Sequence, residues 1–185
     1  TAVIPDFIAL AEADMNRQLD HWRMEELEAL SVSSQYTALP SDFISAKKVE
    51  LSDTYPRRME SMSRADMQQQ RMELLDAGGK PQYYAITDSQ LEVFPSPDAT
   101  YTVNLYYKER IPALSDSNAT NWVLDNHPDL YLFGALAAGY AYESDMERAM
   151  MYEQKFNALI DELNRQSRRN KHDGAGLRRK ITAYT

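Results

Sequence analysis

Residues 83–108, YYAITDSQLEVFPSPDATYTVNLYYK, decide the fold. Tyr84 and Ile86, then Leu91 and Val93, then Tyr101, Val103, Leu105 and Tyr107 recur at a spacing of two, the last run alternating with Thr102, Asn104, Tyr106 and Lys108. At that period successive side chains of a pleated strand return to the same face. Asp88-Ser89 and Pro95-Ser96-Pro97-Asp98 supply turns between the runs. The stretch therefore reads as an antiparallel meander. It also concentrates tyrosine, a residue that buries area at little entropic cost and keeps a polar handle. Alternation sends Tyr101 and Tyr107 to the core and leaves Tyr106 on the opposite face, toward solvent or a partner.

The same layer begins upstream. From about Glu26 the period is two, with short strands expected at 26–33, 35–39 and 44–52 and a turn at Leu39-Pro40-Ser41-Asp42. Ser63-x-x-Asp66 resembles a capping box, so a short helix runs through Met67, Arg71 and Leu74-Leu75 until Gly78-Gly79 stops it. Before the strands, Phe7, Ala11, Met15, Leu19 and Trp22 recur near i+4, with Pro5 and Asp6 suited to a first helical turn.

Downstream, Ile111 to about Asn126 reads as a long loop pinned by Trp122. Pro128 opens a helix whose residues Leu130 to Tyr142 carry no charge and pair small residues at Gly134/Ala138, Ala135/Gly139 and Ala137/Ala141. A helix apolar all round must be covered on all sides, inside the monomer or by a neighbouring copy. Ser144-x-x-Glu147 reads as the capping box of a last helix with Ala149, Tyr152, Phe156, Leu159, Ile160 and Leu163 on one face, ending near Arg168. The methionines Met146, Met150 and Met151 on this helix, and Met59, Met62, Met67 and Met72 around the short one, read as adaptable core filler. The architecture expected is α+β. Residues 1–25 and 127–168 form a helical bundle, 26–112 an inserted antiparallel β-domain with one short helix, 113–126 a long loop, and 165–185 an extended basic arm.

That arm carries Arg165, Arg168, Arg169, Lys171, Arg178, Arg179 and Lys180 against Asp173 alone, and leaves −14 on the preceding residues of a chain whose total is −8. Leu177, Ile181 and Tyr184 are its isolated anchors, and Gly174 and Gly176 interrupt any helix. Such a segment buries too little to fold on itself. It would bind nucleic acid through phosphates, thread along a protein, or serve as a solubilising end. The acidic body argues against the first as the main task.

Chemistry is sparse. Among the 185 residues there is no cysteine, so disulfides, thiolate metal sites and cysteine nucleophiles are out, and synthesis in the cytosol is expected. No Gly-rich phosphate loop, GxSxG elbow or HExxH occurs. His21, His127 and His172 are scattered and read as solvent-facing or capping residues; no metal or cofactor is expected. Glu25, Glu26 and Glu28 read as a solvated strand edge. The longest apolar run falls short of the ~20 residues of a membrane span, so no membrane role is expected.

Five stretches in order carry a resemblance: IPDFIALAEADMNRQLDHWRME, YTALPSDFI, PQYYAITDSQLEVFPSPDATYTVNLYYKERIPALSDSNATNW, DLYLFGALAAGYAY and LNRQSRRNKHDGAGLR. From about Ile4 to Arg178 the chain resembles the phage head-to-tail adaptor family. The resemblance implies a non-enzymatic virion protein. It would assemble as a dodecameric ring beneath the portal, present its far face to a tail or nozzle protein, and let genome DNA pass through its channel without specific binding. It further implies residence at the head-tail interface after assembly in host cytoplasm, with roles in tail assembly and genome ejection. The family's C-terminal extension docks on the portal, which assigns that role to Arg165, Arg168, Arg169, Lys171, Gly174, Gly176, Leu177 and Arg178; Arg179, Lys180, Ile181 and Tyr184 lie past the match and join the candidates through their own charge and apolar surface. Tyr106, Trp122, Tyr131 and Tyr140 are the candidates for oligomer or tail contacts. With −14 on each body, the channel should be lined in part by acids. The rival reading is a nucleic-acid-binding accessory protein acting through the arm.

Overall fold

A computed structural model describes residues 3–74 and 78–172. The chain divides into two compact units, Thr1–Trp22 with Ile111–Thr185, and Arg23–Arg110.

The second unit holds the strands β1 (Glu25–Val32), β2 (Tyr36–Ala38), β3 (Phe43–Ser52), β4 (Arg57–Arg58), β5 (Glu60–Ser61), β6 (Tyr83–Thr87), β7 (Gln90–Phe94) and β8 (Tyr101–Glu109). They form two four-stranded sheets, in the orders β1-β8-β3-β4 and β2-β7-β6-β5. Leu30, Val32, Val49, Leu51, Val103 and Leu105 of the first sheet share one core with Tyr84, Leu91 and Val93 of the second. Burying an apolar sheet face requires a second layer, and each sheet is the other's.

This arrangement corrects the meander. β6 and β7 do form a hairpin around Asp88-Ser89, with Thr87 opposite Gln90. After Pro95–Asp98, however, β8 leaves for the other sheet, where it lies between β1 and β3. A continuous meander would have left the Leu91/Val93 face and the Val103/Leu105 face side by side and uncovered; crossing over lets them face each other. The short helix, the next α-helix in chain order after the N-terminal one, starts as expected: the Asp66 N–H donates to Ser63 Oγ at 3.1 Å, and that hydroxyl donates to Asp66 Oδ2 at 2.6 Å. It spans Arg64–Leu74 and is labelled α2, α1 being Ile4–Gln18. α2 covers the outer face of the second sheet, where Met67 packs on Ala85 and Phe94.

The first unit holds α1, α3 (Trp122–Asn126), α4 (Pro128–Tyr142) and α5 (Met146–His172). Gly134 of α4 lies where a Cβ would sit 2.7 Å from Ala11 Cβ and 3.1 Å from the Phe156 ring, so α1, α4 and α5 converge on one glycine. Three expectations change here. The 113–126 loop contains a helical turn, because Asn121 Oδ1 accepts from the N–H groups of Val123 and Leu124 at 3.1 and 2.9 Å. Ser144 does not cap α5: it closes α4 at φ 64°, with its N–H on Ala141 O and the Asp145 N–H on Tyr140 O, a Schellman pattern. Asp145 is the cap, its Oδ1 accepting from the Arg148 N–H at 3.2 Å. Finally, α5 does not stop at Arg168 but continues to His172. Fully buried Ser167 keeps its last turns attached, accepting the Trp22 N–H at 2.9 Å.

Candidate interaction surfaces

The stretch IPALSDSNATNW is bound to the helices by a polar network. Buried Glu12 of α1 accepts from the Leu114 N–H at 2.8 Å and from the Tyr131 hydroxyl at 3.0 Å. Asn121 donates through Nδ2 to Pro112 O and to the Tyr131 hydroxyl, at 2.7 and 2.6 Å, and Asn16 Oδ1 accepts the Ile111 N–H at 2.9 Å. A buried network in which such polar groups bond one another specifies one arrangement. Burial, followed by the charge of Glu12, pushes the Tyr131 phenol above its ordinary range. Tyr131 thus belongs to the interior of the unit and is withdrawn as a contact residue. Trp122 is half-buried and stacks on His21, ring centroids 5.0 Å apart, while His127 meets the same histidine edge-on at 6.4 Å. His21 is buried, not solvent-facing as its isolation in sequence suggested.

Tyr140 has a different setting. Its ring lies parallel to that of Tyr152, 5.5 Å away, with the Arg148 guanidinium over it and Lys155 over Tyr152. On its other side opens an apolar groove of about 350 Å³ lined by Ile4 and Phe7 of α1 and by Leu132, Ala135, Leu136, Gly139, Tyr140 and Glu143. Within the chain, then, α4 is not covered all round. Leu132 is 55% exposed and Tyr142 68%, the latter leaning on Phe7 at 5.6 Å. Met146, Met150 and Met151 are exposed as well, which corrects their reading as core filler; Met59 and Met67 are core, and Met72 is exposed. Sequence reading missed the groove. The signal was present in α4, which has more apolar positions than the helices packed on it cover.

On the second unit, Tyr106 is half-buried on the outer face of the first sheet, with Lys48 Nζ 5.1 Å from its ring centre. Tyr107 is core, its hydroxyl donating to Asp42 at 3.1 Å. Burial first, then that bond and the charges of Asp42, Glu28 and Glu109, push its phenol upward. Glu25, Glu26 and Glu28 are exposed on β1, the edge strand they were expected to mark. Unforeseen is Glu92, fully buried in β7 beneath α2, where Arg71 approaches its carboxylate at 3.6 Å and Gln35 Nε2 donates to it at 3.0 Å. Arg71 also donates to Ser96 Oγ and to Val93 O and lies over the Phe94 ring.

Of the arm, Arg165, Arg168, Arg169 and Lys171 are exposed on the last turns of α5 and are helical, which moves the start of any extended segment past His172. Leu177, Arg178, Arg179, Lys180, Ile181 and Tyr184 lie outside the described residues. Among the described residues no group of three or more His, Asp or Glu side chains could hold a metal ion, and no helix is long and apolar enough to cross a membrane. The family model described as SU10 adaptor protein matches residues 1–179. No curated protein matches the chain.

Proposed function

The chain belongs to the SU10 adaptor protein family, a phage adaptor and virion component, and from that premise we propose that it is the non-enzymatic ring subunit joining portal to tail. Copies assemble as a dodecamer under the portal, hold a tail or nozzle protein below, and surround the channel through which the genome leaves. Acids line part of that channel, so the duplex is repelled from the wall. Assembly takes place in the host cytoplasm. The observation that carries the reading is the uncovered side of α4. A helix uncharged from Leu130 to Tyr142 whose Leu132 and Tyr142 stay exposed is a surface awaiting a protein, since single soluble domains rarely leave such patches.

The basic C-terminal segment docks on the portal, with charges guiding approach and Leu177, Ile181 and Tyr184 retaining it. The helical extent of α5 sets the informative truncation. Cutting after His172 keeps Ser167 and its bond to Trp22; cutting after Gln166 removes them. The experiment is electron microscopy of the protein mixed with its portal. The full chain should add a ring to each portal, and the chain ending at His172 should fold but fail to join. If the full chain stays free of portals, the reading is lost. If the shortened chain attaches as well as the full one, the segment is not the docking element.

A further inference from the structure

The first sheet has two open edges, and they carry opposite charge. At one, β1 presents exposed Glu25, Glu26 and Glu28. Glu25 is tied to Lys47 at 2.7 Å, while Glu26 acts on the Glu109 carboxyl of β8. Burial, then the charges of Glu26 and Asp42, hold the Glu109 carboxyl above its ordinary range, so this edge carries mutual repulsion that an approaching cation would relieve. At the other edge, β4 presents exposed Arg57 and Arg58. Tyr55, 81% exposed, precedes them. Both edges leave backbone N–H and C=O groups facing outward, the feature through which sheets join.

Charge decides which edges can meet. Two β1 edges would bring carboxylates together, and two β4 edges guanidinium groups, so a two-fold pairing of like edges is disfavoured. A β1 edge against a β4 edge is attractive. Direction agrees: β1 and β3 each pair antiparallel with β8, and β4 is antiparallel to β3. A second copy laid beside the first without inversion therefore sets its β1 antiparallel to the first copy's β4. β4 is short, so the backbone adds few hydrogen bonds, and the side chains choose partner and orientation.

We infer that β1 of one copy joins β4 of the next as a head-to-tail contact between subunits, with Arg57 on the face of the sheet that carries Glu26 and Glu28 and Arg58 on the opposite face, which carries Glu25. Contacts of this kind use different patches on the two partners and close into rings when their rotation permits. The inference rests on the ring reading above and names the surfaces that would form it.

Two doubly substituted chains test it: one with Arg57→Glu and Arg58→Glu, and one with Glu26→Arg and Glu28→Arg. All four positions are exposed, and circular dichroism checks that both variants fold. Self-association is followed by sedimentation velocity at low salt. The wild type should associate, and less so as salt rises. Each variant alone should associate at least roughly tenfold more weakly, because like charges now face each other. An equimolar mixture should recover wild-type association, since each variant supplies the edge the other needs. If the wild type fails to associate at any concentration reached, if either variant associates as the wild type does, or if the mixture recovers nothing, the inference is overturned. Portal mixtures separate the two readings. Rings formed on portals by either variant alone refute this contact and leave the adaptor reading standing, whereas a wild type that joins no portal refutes the adaptor reading.

Discussion

Gly134 and Gly139 lie one and a half turns apart on α4, and the same substitution should move stability in opposite directions at the two sites. A Cβ on Gly134 would meet Ala11 Cβ at 2.7 Å and the Phe156 ring at 3.1 and 3.3 Å. Carbon atoms rest at roughly 3.5–4.0 Å, so α1 or α5 must withdraw by most of an ångström. Both neighbours are buried core residues with little room to yield. Overpacking of this kind costs about 1–3 kcal/mol. On Gly139 the added Cβ would meet only the Phe7 ring, at 3.6 and 3.7 Å, an ordinary contact. Replacing a helical glycine by alanine gains about 1 kcal/mol at either site. That gain cancels between the two variants, so their difference isolates the clash and should be about 1–3 kcal/mol.

Gly139→Ala should therefore raise the urea midpoint and Gly134→Ala lower it. Trp22 and Trp122, the two tryptophans of the chain, both belong to the unit that contains α4. Their fluorescence reports that unit without interference from the β-domain. The slope of unfolding free energy against urea should stay constant, so that the shift reads as stability. If Gly134→Ala proved as stabilising as Gly139→Ala, the three helices would not converge at Gly134 and the packing argument would fail.

Other perturbations reach other parts of the molecule. Arg71→Met should destabilise the β-domain by about 3–5 kcal/mol, because it leaves the buried Glu92 carboxylate without its cation; changing Glu92→Leu in the same chain should return much of that loss in chemical denaturation followed by circular dichroism. Tyr131→Phe should cost about 1–3 kcal/mol by leaving Glu12 and Asn121 each short of a partner, visible in the same tryptophan signal. From pH 8 to about pH 10 the phenols should leave stability unchanged, and above that it should fall. The raised phenols of Tyr107 and Tyr131 stay protonated when folded but ionise in the unfolded chain from ~10 upward, so the unfolded state gains as pH rises. Thermal melts between pH 8 and 11 should show the fall, and Tyr107→Phe should lessen it.

Local elements were legible in the sequence where chain-neighbour chemistry settles them. The hairpin at Asp88-Ser89 and the start of α2 at Ser63 need only the residues beside them. Global choices were not. Alternation in 101–107 identified a strand but not its sheet, because period two is the same whether β8 extends the hairpin or faces it. Ser144 and Asp145 are both good caps by composition, and the choice fell to Asp145 once α4 ended in the left-handed turn that Ser144 occupies. The end of α5 was misread because its last turns carry only Leu163 and Ser167 inward, a weak apolar signal that a hydroxyl bonded to a backbone N–H completes.

Glu92 shows why surfaces were harder to read than strands. In QLEVF the glutamate occupies the position that a one-sided sheet turns to water, and the sequence alone places it there. The strand is buried on both faces because α2, outside the alternating pattern, supplies Arg71 to receive the charge. The same logic applies with sign reversed to α4. Its apolar positions exceed what α1 and α5 cover, so Leu132 and Tyr142 stay exposed where a buried pattern was written. In one element a charge sits inside because a helix of the same chain receives it; in the other, apolar groups sit outside because the helices packed on α4 leave them uncovered. Both are mismatches between pattern and burial, and such mismatches appear only when the chain is seen folded.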